Sequence, residues 1–122
     1  MGRLVDYLKE QGCVDMDKTL HRFCGNEAFY EKCFIQFLTD PGFDALCRQL
    51  EEHDIQAAFE SAHTLKGVAA NLGLTPMHAL LIQIVEPLRV GTEDGVKEAC
   101  DRLFALRDTF RRKFLVTVRT QA

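Results

Sequence analysis

The chain has 122 residues, of which 47% are hydrophobic and 27% are charged, and its formal net charge is −3. These values are typical of one folded domain with one core and argue against a disordered chain. The mildly acidic balance lacks the basic surface of a nucleic-acid-binding protein, and the apolar runs are too short to span a bilayer. We therefore expect a single domain over residues 1–122 that binds neither nucleic acid nor membranes.

Turn residues divide the chain into helices, and no segment alternates polar and apolar residues as a strand does. The first half is predicted to hold four helices, at about residues 3–10, 15–24, 27–39 and 42–52. Asn26 is a favourable N-cap for the third of these helices, and the sequence Asp40-Pro41-Gly42 is expected to end it.

The second half is predicted to hold three further helices. The fifth covers about residues 55–72, the sixth opens at Thr75-Pro76, and the last covers about residues 93–117. Asp54 is the predicted N-cap of the fifth helix and Thr75 that of the sixth. Pro87 is expected to end or kink the sixth helix near Glu86.

Short connections between these helices favour antiparallel neighbours. We predict an all-α fold, namely an up-down four-helix bundle with additional N-terminal helices and a long C-terminal helix. The third to sixth helices are the expected members of the bundle, and the last helix is expected to extend the packing.

Five cysteines, an odd number without any Cys-x-x-Cys spacing, indicate reduced thiols and a cytoplasmic protein. Cys33 and Cys47 are expected to be buried and unreactive. The histidines do not cluster with the cysteines at the spacing of a zinc site, so we predict no metal site. Three of the histidines, His21, His53 and His78, have no context that suggests a role.

The fifth helix carries one apolar stripe with a histidine on its flank. At about 100° per residue, the members of the stripe are Ile55, Ala58, Ala62, Leu65, Ala69 and Leu72. His63 falls outside this stripe, and Phe59, Lys66, Gly67 and Ala70 surround it on the same side.

Gly67 is unexpected inside a helix, where glycine costs about 1 kcal/mol relative to alanine. It follows His63 by about one turn, so its missing side chain leaves room beside the imidazole for a partner, and Lys66 adds positive charge. A lone histidine on a helix is more often an ordinary surface residue, and glycine also serves close helix packing. The helical wheel alone leaves both interpretations open.

The third helix, EAFYEKCFIQFL, is apolar over about half of its circumference. Neighbouring helices can cover this arc, or one edge of it can stay exposed as a docking surface beside His63. On the second interpretation, Phe34 and Phe37 bind a partner together with Phe59 and Ala70 of the fifth helix.

Residues 62–73, AHTLKGVAANLG, resemble the phosphorylation motif of histidine-containing phosphotransfer (HPt) domains. The upstream segment FLTDPGFDALCRQLEEHDIQAAFESAH is similar to the family in its helical layout. Downstream, VEPLRVG places Glu86, Arg89 and Gly91 in register with a segment of the family. The resemblance extends over residues 14–117, with two departures at Val68 and Pro87.

The resemblance implies a phosphocarrier without autonomous kinase activity. His63 would accept a phosphoryl group from a receiver-domain aspartate and pass it to another receiver, Lys66 would stabilise the phosphoryl charge, and Gly67 would give clearance. The implied partners are receiver domains of response regulators or hybrid histidine kinases. No cofactor of its own is implied, since Mg²⁺ is expected on the receiver, and a monomer is expected.

Two other classes compete with this interpretation. A helical adaptor would bind receiver-like partners without transferring a phosphoryl group, although His63, Lys66 and Gly67 together argue against it. A metal-binding bundle would need paired Glu-x-x-His ligands, which the sequence lacks.

Overall fold

The computed structural model describes the backbone of residues 3–121 and the side chains of residues 3–114. Residues 3–121 form seven α-helices and no strand, which confirms the all-α prediction. The helices are α1 (Arg3–Glu10), α2 (Met16–Arg22), α3 (Glu27–Leu38), α4 (Gly42–Glu51), α5 (Ile55–Asn71), α6 (Thr75–Arg89) and α7 (Val96–Gln121). Residues 1, 2 and 122 of the expected domain lie outside the described part of the chain.

Two helices begin at the side chains that the sequence predicts as caps. Asn26 accepts a hydrogen bond from the backbone N–H of Phe29 at 2.9 Å, and Asp54 accepts one from that of Ala57 at 3.1 Å. Each cap satisfies one of the amide groups that the first turn of a helix leaves without a partner. The residue at which α5 starts is therefore set by its own cap. The start of the helix in turn determines the direction in which the side that carries His63 points.

The ends of α6 differ from the prediction. Thr75 is the first helical residue rather than the cap, and Leu74 precedes it without any side-chain cap. Pro76 lies within the first turn, where a missing N–H removes no helical hydrogen bond. Pro87 does not end the helix, which continues for two more residues to Arg89.

The last helix begins at Val96 rather than near residue 93. Gly95 precedes it with a φ of +73°, a left-handed conformation that an α-helix cannot include. Glu93 is left in the connection from α6, where its carboxylate lies 3.0 Å from the imidazole Nδ1 of His53. This contact joins the α6–α7 connection to the turn before α5.

The four-helix bundle consists of α4, α5, α6 and α7. The most extensive contacts join α5 to α6, α4 to α5 and α6 to α7. Phe43 of α4 closes the ring against Phe104 of α7, with ring centres 6.2 Å apart. The fully buried side chains of the bundle include Phe43, Leu46, Leu81, Ile84 and Leu103. The bundle architecture is confirmed, but the expected membership is wrong, because the last helix replaces the third.

The N-terminal helices cover one side of this bundle. Helix α3 packs on α7 through Phe34 and Phe110, whose ring centres are 5.9 Å apart. Tyr7 of α1 lies edge-on to the same Phe110, also at 5.9 Å. In residues 3–121, no helix has the length and apolar character needed to cross a membrane.

Candidate functional site

Helix α5 lies between α4 and α6, and its apolar stripe faces the core as predicted. The stripe is buried at Ala58, Ala62, Leu65, Ala69 and Leu72, and half-buried at Ile55. His63 lies on the other side of the helix, and its side chain is exposed. The periodicity of α5 therefore sets the imidazole at the surface, where a second protein can reach it.

An aromatic ring and a guanidinium lie beside His63. The ring centre of Phe59 is 5.7 Å from that of His63, and the guanidinium carbon of Arg89 is 5.1 Å from the centre of the Phe59 ring. Glu86, one turn earlier on α6, holds the same guanidinium at 3.5 Å. The cation–π contact places a guanidinium from α6 on this face, and the exposed ion pair with Glu86 offsets part of its charge.

The pattern of α5 alone does not indicate Arg89, whose side chain reaches Phe59 from α6. Its place in the resemblance to the HPt family marked its position, without indicating where its side chain lies. The antiparallel pairing of α5 and α6 across the turn at Gly73 is the signal that indicates the position of Arg89. This pairing sets residues near the start of α5 opposite residues near the end of α6, which brings Phe59 to Arg89.

Lys66 follows His63 on the same face, where it is half-buried. Within the described residues its ammonium group has no hydrogen bond or ion pair. Among these residues no carboxylate neutralises the charge. A lysine in this state can interact with an incoming anion through any of its three N–H donors.

Gly67 is exposed, and a Cβ built on it meets no atom within 4 Å. The other described glycines either have a positive φ or have a neighbour that a side chain would contact. Gly67 has neither reason, because its backbone is ordinary helix. Neither the packing nor the conformation of the described residues therefore requires glycine here.

The docking role predicted for Phe34 is wrong, because its side chain is fully buried. Phe37 is only 2% exposed, although it is among the residues that line the groove between α3 and α5 described below. Phe34 packs against Phe110 and Phe114 of α7, which come 76 or more positions later in the chain and cannot be anticipated from the third helix. The exposed large apolar side chain of α3 is that of Phe29, at 50%.

A groove of about 480 Å³ runs between α3 and the end of α5. We call it the α3–α5 groove. Its walls are Phe29, Cys33 and Gln36 of α3 on one side and Val68, Asn71 and Leu72 on the other. Val68, one of the two departures from the HPt pattern, thus contributes an apolar wall. The remaining predicted docking residues, Phe59 and Ala70, are half-buried and exposed respectively.

The other candidate side chains stay apart from this site. His53 is exposed and pairs with Glu93, as described above. Cys47 is exposed, which corrects the expectation of a buried thiol, and Cys33 is half-buried. Slight burial and the carboxylate of Glu51, 3.7 Å from the sulfur, raise the pKa of the Cys47 thiol and disfavour the reactive thiolate. No group of three or more His, Cys, Asp or Glu suited to a metal ion occurs in the described part of the chain.

The comparisons with known proteins agree with this geometry. A family model described as Hpt domain matches residues 38–113, from the last residue of α3 into α7, which is more than half of the chain. No curated protein and no solved structure matches the sequence. Hpt domains are phosphocarriers of phosphorelays, in which they work with receiver domains, and they are not autonomous enzymes. The chain, with α4, α5, α6 and the first part of α7 inside the match, belongs to the Hpt domain family.

Proposed function

We propose that this protein carries a phosphoryl group on His63 between the aspartates of two receiver domains. The observation that carries the proposal is the exposed imidazole beside Gly67, where the helix has no side chain and a Cβ would meet nothing within 4 Å. This opening lets the aspartyl phosphate of a receiver come into line with the ring. A surface histidine without a partner would not need such an opening.

The nucleophile in the first transfer is the lone pair of an imidazole nitrogen. An unprotonated imidazole nitrogen of His63 attacks phosphorus, a P–N bond forms, and the P–O bond to the receiver aspartate breaks. The aspartate leaves as a carboxylate with that electron pair. In the second transfer another aspartate attacks phosphorus and the P–N bond returns its electrons to the ring. Histidine suits this role because its neutral form is available near pH 7.

The protein assists by holding charge and position, which is the main contribution in phosphoryl transfer. Lys66 lies on the same face with its ammonium unpaired among the described residues, and we assign it to the phosphoryl oxygens. Arg89 adds a second positive charge through its contact with Phe59. We assign Mg²⁺ to the receiver domain.

We place receiver docking on the exposed surface around His63. Phe59 and Ala70 flank the imidazole on α5, and the α3–α5 groove with its exposed Phe29 extends the apolar surface past the end of that helix. Apolar contacts of this kind would hold the receiver while its aspartate faces the ring.

The proposal is tested by incubating the protein with a receiver domain that carries a labelled aspartyl phosphate. The protein should acquire a label that is labile in acid and stable in base, as a phosphoramidate is. His63→Gln should abolish this label, and His21→Gln, a matched change at another exposed histidine, should retain it. A label that persists in His63→Gln rejects the assignment. Receiver binding without any label on the unaltered protein would instead establish an adaptor.

Lys66→Ala separates the roles of charge and recognition. The loss of a positive charge next to the phosphoryl group should lower the maximal transfer rate about tenfold or more, with little change in the receiver concentration that gives half of that rate. An effect on the half-saturating concentration alone would reassign Lys66 to docking.

A further inference from the structure

The C-terminal end of α5 is held by an arginine from another helix. The Nη2 group of Arg22, at the end of α2, donates to the carbonyl oxygens of Ala70 at 3.2 Å and Asn71 at 2.9 Å. The last carbonyls of a helix have no partner within it, and they form the negative end of the helix dipole. A guanidinium at this point therefore satisfies two acceptors with charge-assisted hydrogen bonds.

Two neighbouring side chains secure the same end. The buried hydroxyl of Tyr30 donates to the carbonyl oxygen of Leu72, the residue that follows α5. Thr19 of α2 packs on Gly73, where a Cβ would clash with its hydroxyl oxygen and the φ of +68° already disfavours other residues. Thr19 also accepts a hydrogen bond from Arg22 at 3.3 Å, which keeps the guanidinium in place. The end of α5 is thus fixed by Thr19, Arg22 and Tyr30, which lie outside residues 38–113.

The held turn is also one wall of the α3–α5 groove. Val68, Asn71 and Leu72 line that wall, and Arg22 lies at the margin of the same groove. The carbonyl oxygen of Ala70 also accepts from the backbone N–H of Gly73 at 3.1 Å, whereas that of Asn71 accepts from Arg22. Without Arg22 the Asn71 carbonyl would lose this donor, and the last turn of α5 would fray more often. Fraying would move the wall relative to Phe29 on the opposite side.

We propose that Arg22 is a positioning residue for receiver docking. It does not touch the phosphoryl group, and it acts through the carbonyls of Ala70 and Asn71 by keeping the groove in the shape that the receiver meets. The inference rests on the proposed function, because it assumes that receivers dock in the α3–α5 groove. On this proposal the N-terminal helices contribute to receiver docking in addition to covering the core.

The experiment measures transfer from a phosphorylated receiver to Arg22→Gln over a range of protein concentrations. Since a cation at a helix C-terminus corresponds to roughly a two- to fivefold change in an equilibrium, the half-saturating concentration should rise by up to that factor while the maximal rate stays unchanged. Arg22→Lys, which keeps the charge, should restore part of the loss. Arg102→Gln is the matched control, at an exposed arginine of α7 that forms no side-chain bond among the described residues.

Phosphoramidate, a small phosphoryl donor that needs no docking, supplies the second readout. Arg22→Gln should be labelled on His63 at the normal rate by this donor. Slower labelling would mean that the substitution affects the imidazole itself, which would overturn the inference. A lower melting temperature with an unchanged half-saturating concentration in receiver transfer would also overturn it. Tyr30→Phe, which removes a single hydroxyl, should reproduce the docking defect if Arg22→Gln does not fold. Failure of the unaltered protein to accept label from any receiver would instead contradict the proposed function.

Discussion

The guanidinium carbon of Arg89 lies 5.1 Å from the centre of the Phe59 ring, so that α6 places a positive charge on the face of α5 that carries His63. The Phe59 ring contacts both side chains, at 5.7 Å from the imidazole measured between ring centres. Glu86 holds the guanidinium at 3.5 Å in an exposed ion pair, which is weak enough to exchange for a phosphoryl group. Two helices thus supply the positive charge of the site.

Arg89→Ala should slow phosphoryl transfer several-fold because it removes one of the two cations of this face. The free energy of unfolding should fall by about 1 kcal/mol or less, the size of an exposed cation–π contact. The transfer rate from a labelled receiver and a thermal unfolding curve measure the two effects. Arg89→Lys keeps the charge and should transfer faster than Arg89→Ala; equal rates in these two variants would contradict a role for the charge.

Glu86→Gln tests the same ion pair from its other side. The change releases the guanidinium of Arg89 and removes a negative charge near the approaching phosphoryl group. Transfer should therefore be faster than in the unaltered protein. A slower rate would mean that the carboxylate is needed to hold Arg89 in position.

Gly67→Ala should stabilise the protein by about 1 kcal/mol, since alanine is the better helix former and the added methyl meets no atom within 4 Å. Gly67→Leu should also fold, but it should transfer slowly from a receiver because the larger side chain occupies the clearance beside His63. Phosphoramidate is small enough to label the leucine variant at a nearly normal rate. Normal transfer from the receiver to that variant would refute the clearance argument.

Phe34→Ala and Phe29→Ala should separate stability from docking. Phe34 is fully buried, and its truncation should cost about 3–5 kcal/mol of unfolding free energy. Phe29 is 50% exposed, so Phe29→Ala should leave the unfolding midpoint in urea nearly unchanged while it raises the half-saturating concentration for receiver transfer. The reverse pattern would remove the α3–α5 groove from the docking surface.

The stability of the protein should fall at alkaline pH through Cys100. Burial, with the carboxylate of Asp101 as the next cause, raises the pKa of this thiol from 9.0 to about 12. The unfolded chain then loses the thiol proton more readily than the folded chain, so the free energy of unfolding decreases as the pH rises from 9 towards 12. Urea unfolding across this pH range measures the slope.

Cys100→Ala removes the titrating thiol and should give a flatter dependence of stability on pH over the same range. Cys24→Ala, at an exposed cysteine, serves as the control and should keep the original slope. Identical slopes in Cys100→Ala and the unaltered protein would show that the buried thiol does not contribute.

Features governed by nearby residues could be predicted from the sequence. The caps at Asn26 and Asp54, the buried stripe of α5 and the exposure of His63 all follow from spacings within one helix or one turn. Local preferences of this kind do not depend on residues that are distant in the sequence. The all-α class and the bundle follow from the same regularity repeated along the chain.

Features governed by distant partners could not be predicted. Phe34 and Phe37 look like candidates for an exposed edge until α7 is seen to cover Phe34. Arg22 looks like an ordinary residue at the end of a short helix, yet its partners lie 48 and 49 positions away in sequence. Periodicity shows that a face is apolar or charged, but not which element meets it.

The placement of α1, α2 and α3 has a practical consequence for anyone who transplants this module into a chimeric signalling protein. A fragment cut to residues 38–113 would leave Phe110 bare, since the two rings that pack against it from Tyr7 and Phe34 would be gone. The fragment would also lose the bonds that Arg22 and Tyr30 make to the end of α5. A usable graft has to start upstream of Tyr7.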